Sequence, residues 1–68
     1  MKGTTLTTVA SGIIGKWDDE WEVVKFYDQE TDISLYELFI DVGGKHKHFA
    51  TKNSVAEALA VLIDIFSE

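Results

Sequence analysis

The clearest pattern of apolar and polar positions lies in the middle of the chain. From Ile33 to Val42 it is rich in β-branched and aromatic residues, and after Gly43-Gly44 it resumes as Lys45-His46-Lys47-His48-Phe49-Ala50. Two such runs joined by two glycines predict a hairpin, because glycine supplies the positive φ that a type I′ turn requires at both positions. The turn sets a register, with Val42 opposite Lys45, Asp41 opposite His46, Phe39 opposite His48 and Leu38 opposite Phe49. Upstream, residues 21–28 (WEVVKFYD) read as another strand, joined to the hairpin by the polar loop Gln29-Glu30-Thr31-Asp32. With Asp28 set opposite Ile33, Trp21, Val23, Leu38 and Ile40 share one face with Tyr27 and Tyr36. Val24, Phe26, Leu35 and Phe39 share the other. A sheet with one wet face alternates apolar and polar. Apolar residues on both faces predict that both are at least partly covered.

The period changes to that of a helix near the C-terminus. Ser54-Val55-Ala56-Glu57 has capping-box spacing, with Asn53 as a competing cap. Val55, Leu59, Leu62 and Phe66 form a stripe, widened by Ala58, Ile63 and Ile65. Glu57 and Asp64 share one narrow polar line, flanked by Ala60 and Val61. An apolar surface that wide exceeds the usual stripe of a surface helix. Residues 4–14 are ambiguous. Leu6, Val9, Ala10, Ile13 and Ile14 suit a helix, but the β-branched residues around them and Gly12 favour a strand bent at Gly12. Gly15 to Glu20 is then a connecting turn. The expected architecture is α+β: a small antiparallel β-meander of three or four strands with one C-terminal helix packed on one face.

Length makes this a single domain near the lower limit for independent folding, at 68 residues. Such domains are often stapled or self-associated, and the absence of cysteine removes disulfides and fits a reducing compartment. No apolar run approaches a membrane span, and threonines follow Lys2 where a signal peptide would be apolar. These features predict a soluble cytoplasmic chain with no membrane partner.

Twelve carboxylates against six lysines give a formal net charge of -6, and there is no arginine. Arginine supplies the commonest base contact and many phosphate contacts, so direct nucleic-acid binding is disfavoured. Nine carboxylates fall between Asp18 and Asp41. An acidic surface suits a basic protein partner, or solubility alone.

Candidate chemistry is sparse. His46 and His48 alternate on a strand and so face the same side, with Asp41 beside His46. Two histidines and a carboxylate are a zinc-type donor set lacking a fourth member, and the same histidines suit a pH switch. The plain alternative is a solvated hairpin arm, and no metal or other cofactor is assigned. Ser11, Ser34, Ser54 and Ser67 lack a base-and-orienter context. Gly12 and Gly15 form no phosphate loop, and Asp18-Asp19-Glu20 lacks calcium-loop spacing. No catalytic residue is assigned, and an enzyme is not expected.

The expected function is therefore a non-catalytic binding or inhibitory protein. The predicted contact set is Trp17, Asp18, Asp19, Glu20, Glu30 and Asp32, with Trp17 as an aromatic anchor. Carboxylates spaced along a strand about 25 Å long are placed to imitate a row of phosphates, and a protein built that way would occupy the basic cleft of a nucleic-acid enzyme. In size, charge and element order the chain resembles, in a general way, phage-encoded inhibitors of host enzymes. The alternative is a structural homodimer or assembly subunit. Its interface would use Val24, Phe26, Leu35 and Phe39 on the second sheet face, or Val61 and Ile65 on the helix.

Overall fold

In the computed structural model, residues 3–16 and 18–67 are described. Four strands and one helix follow in order: β1 (Thr4–Ile14), β2 (Asp19–Asp28), β3 (Ile33–Val42), β4 (Lys45–Lys52) and α1 (Val55–Phe66). All neighbouring strands pair antiparallel in the order β1-β2-β3-β4. The meander and its C-terminal helix match the expected α+β architecture, with the ambiguous N-terminal stretch resolved as a strand.

The turns follow from the residues that form them. Gly43 and Gly44 take φ of +59° and +80°, the signs a type I′ turn requires. Between β2 and β3, the Asp28 carboxylate accepts from the Glu30 N–H at 2.9 Å and the Asp28 carbonyl from the Asp32 N–H at 2.8 Å. Asp32 itself has φ of 55°, a conformation aspartate tolerates better than most residues. At the helix start, Ser54 is the N-cap and accepts from the Glu57 N–H at 3.2 Å. Its hydroxyl also donates to the Glu57 carboxylate, so the cap is Ser54 and not Asn53.

The helix lies on one face of the sheet and touches all four strands. The buried core is Val23, Leu38 and Ile40 from the sheet with Ala58 and Leu62 from α1. Trp21, Tyr36, Leu59, Ile65 and Phe66 pack around it. Each large side chain so buried stabilises the fold by roughly 1.5–3 kcal/mol. Phe66 reaches the β1–β2 turn, where a Cβ on Gly15 would sit 3.1 Å from its ring.

Four expectations need correction. Leu38 pairs with Ala50, because a register shift next to the Phe39–His48 pair leaves Phe49 unpaired. The irregularity in β1 lies at Val9, between Thr8 and Ala10, and not at Gly12. Gly12 is needed for close approach instead: a Cβ there would be 3.0 Å from the Trp21 indole. Ile63 does not widen the core stripe but is 63% exposed, while Val61 packs against the core. Finally, the second face of the sheet is not covered: among the described residues, the only element outside the sheet is α1, on the opposite side.

Candidate functional site

Strand alternation and register divide the side chains between the two faces. Trp21, Val23, Leu38 and Ile40 point to the helix. Leu6, Val24, Phe26, Leu35 and Phe39 point to the open face. The charges divide unevenly as well. Glu20, Glu22, Asp28, Glu37 and Asp41 belong to the open face, whereas Lys25, Lys45, Lys47 and Lys52 belong to the helix side, with Asp19 as the one strand carboxylate among them. No lysine of any strand is on the open face.

The open face has two halves. Towards the β2–β3 turn it is apolar, with Leu6, Phe26 and Leu35 aligned as successive partners across β1, β2 and β3. Towards the Gly43-Gly44 turn it is a polar ladder. His46 Nδ1 is 2.6 Å from Asp41 Oδ1, and its Nε2 is 3.2 Å from Glu22 Oε2. Glu22 also accepts from the Thr8 hydroxyl at 3.0 Å, so the ladder touches all four strands. His48 Nε2 lies 3.0 Å from Glu37, which also accepts from Thr51 at 2.9 Å.

Phe39 sits between the histidines. Its ring stacks on His46 with centroids 4.7 Å apart and planes 11° from parallel, and it meets His48 tilted at 5.3 Å. The stack gives Phe39 partial cover without a helix above it. Beside this ladder, Thr8, Ser11, Ile13, Glu20, Glu22, Asp41 and His46 line a shallow open depression.

The predicted contact residues are not brought together. Asp18 and Asp19 lie at one end of β2, with Asp18 in the turn at φ 55°. Glu30 and Asp32 lie in the turn at the other end, in a molecule 44 Å long. Only Glu20 joins the open face, and Trp17 lies outside the described residues. Asp32 instead accepts a 2.7 Å hydrogen bond from the Tyr27 hydroxyl. That bond, and then the negative charge of Asp32, raise the Tyr27 pKa above its ordinary value.

The two alternative assembly surfaces lie on opposite sides of the sheet. Val24, Phe26, Leu35 and Phe39 do share the open face, but Val61 and Ile65 are half-buried against the core on the other side of the sheet. The zinc-type set does not converge, since His46 and His48 face different carboxylates. Among the described residues no three His, Cys, Asp or Glu side chains are disposed to hold one ion.

Sequence reasoning missed Glu22 and Glu37 as members of a site. The signal was present: both alternate with Val24 and Phe39, so the register used to sort the apolar residues also placed these carboxylates. No described helix is long and apolar enough to cross a membrane. Comparison with protein-family models, curated proteins and solved structures returns no match.

Proposed function

We propose that this chain is a non-catalytic binding domain that docks a basic protein surface on its open sheet face. The observation that supports it is the uneven charge across the sheet: five of the six strand carboxylates on the open face, and all four strand lysines on the other. The apolar row Leu6, Phe26 and Leu35 supplies contact area, and Glu20, Glu22, Glu37 and Asp41 supply complementarity and orientation. The basic groove of a nucleic-acid enzyme is a surface of this kind. Stacking the face on a second copy of itself would bury the carboxylates of both copies in one layer about 10 Å thick, where exclusion of water weakens screening, so charge favours a basic partner over self-stacking. A binding role also suits His46, whose two ring nitrogens both face carboxylates and leave none free to act as a base for Ser11.

The test is a capture comparison from cell extract. The wild-type protein, a Glu22→Lys/Glu37→Lys variant and a Glu57→Lys/Asp64→Lys variant on the helix carry the latter two equal charge changes on different surfaces. The expected result is a defined basic protein held by the wild type and the helix variant, lost by the sheet variant, and released by rising salt. Equal loss in both variants would reduce the effect to net charge and remove the open face as the docking surface.

A further inference from the structure

The two outer edges of the sheet are built differently. β4 carries Lys45, Lys47 and Lys52, the charged residues that protect an exposed edge from pairing. β1, at the opposite edge, runs eleven residues without a charge or a proline. Its N-terminal half is Thr4-Thr5-Leu6-Thr7-Thr8, which reads identically in both directions. Val9 then interrupts the regular pairing and bounds this segment.

We infer that the β1 edge pairs antiparallel with the same edge of a second copy, with the two-fold axis at Leu6. Antiparallel pairing of identical strands sets each residue opposite its mirror position. Only a palindrome meets itself in matching chemistry: Leu6 on Leu6, Thr5 on Thr7, and Thr4 on Thr8. Threonine pairs and a directly opposed leucine pair are favourable cross-strand contacts. Every second β1 residue turns its N–H and C=O away from β2, and pairing would satisfy that row. Leu6, 60% exposed in the single chain, would join two apolar rows into one that runs from Leu35 and Phe26 of one copy to those of the other.

Charge permits this contact although the protein is acidic. The nearest charged strands of the two copies, β2 and its equivalent, would be three strand spacings apart, about 14 Å. That exceeds the physiological screening length of about 8 Å. Pairing β4 with itself would instead bring lysines together. The two-fold contact also closes, whereas a β1-to-β4 contact would propagate into a filament. Both open faces would lie on the same side of the eight-stranded sheet, so the dimer leaves the proposed docking face free.

Light scattering on a sizing column over a dilution series tests the inference. The expected mass at high concentration is twice the 7.6 kDa chain, falling on dilution because five residue pairs make a small interface. Thr5→Lys/Thr7→Lys sets lysine opposite lysine and should return a single-chain mass with an unchanged circular dichroism spectrum. The protein has no cysteine, so Leu6→Cys should give a disulfide-linked dimer on mild oxidation. Ile13→Cys, on the same strand and 64% exposed, should not. A single-chain mass for the wild type at the highest attainable concentration overturns the inference, as does a dimer that survives the double lysine change. Equal cross-linking at both cysteines overturns the Leu6 register. None of these readings depends on the basic partner, so this inference and the docking proposal fail separately.

Discussion

Leu35 and Leu38 are the same residue, three positions apart on one strand, and they face opposite sides. Leu38 is 0% exposed beneath Ala58 and Leu62, while Leu35 is 38% exposed on the open face. The contrast holds at the centre of the sheet, where α1 covers one face and no described element covers the other. On the helix side, order comes from apolar packing, with lysines outside it. On the open side it comes from hydrogen bonds and ring stacking around Phe39, with carboxylates dominating. One set of strands thus gives a sealed face and a face still available for contact. The sealed face makes the fold; the open face is the surface on which the docking proposal rests.

The largest expected effect separates the two leucines. Leu38→Ala opens a cavity in a small core and should cost about 2–5 kcal/mol, a large share of a marginal domain's stability. Leu35→Ala removes a partly solvated side chain and should cost about 1 kcal/mol or less. Urea unfolding of both variants measures the difference. Equal losses would mean that the open face is packed in solution, by a second copy or otherwise, and the contrast between the faces would be lost.

A smaller effect probes how the sealed face closes at its β1 side. Gly12→Val would press a side chain into the Trp21 indole, 3.0 Å from where its Cβ must sit. The strain should cost about 1–3 kcal/mol and blue- or red-shift the tryptophan emission as the indole moves. A neutral Gly12→Val would show that Trp21 is free to leave the sheet, and so that it does not help cover the core.

Much of this was legible from local chemistry. The Gly43-Gly44 turn, the Asp28–Ile33 register and the Ser54 cap each depend on residues within a few positions of one another, and periodicity carried them. The Phe49 shift and the Val9 irregularity were not legible, because each is a property of pairing between two strands that periodicity along one strand does not mark. Gly12 read as a bend for the same reason: its contact, Trp21, lies across a strand pair. For the site, the sequence showed the acidic excess but favoured the loops, where carboxylates cluster in the chain. The sheet instead gathers carboxylates that are dispersed in sequence, Glu22, Glu37 and Asp41 among them, and separates the two loops that had been grouped. Pairing, and not proximity along the chain, decides which charges act together.

The smallest effect concerns the end of the sheet near the β2–β3 turn, where Tyr27 and Asp32 form a polar contact. The bond to Asp32 and the charge of that carboxylate favour the neutral phenol, and Asp28 adds to the same direction. The folded-state pKa is therefore raised above the unfolded value of about 10. The stabilisation from this contact is present below that value and is lost as pH rises through the folded-state pKa. Phenolate absorbance, taken as the difference between the wild type and Tyr27→Phe, isolates the titration of this residue from that of Tyr36. Asp32→Asn should lower its midpoint toward the ordinary tyrosine value. An unmoved midpoint would assign the shift to Asp28 and burial, and would leave the left-handed backbone of Asp32 as a matter of turn geometry alone.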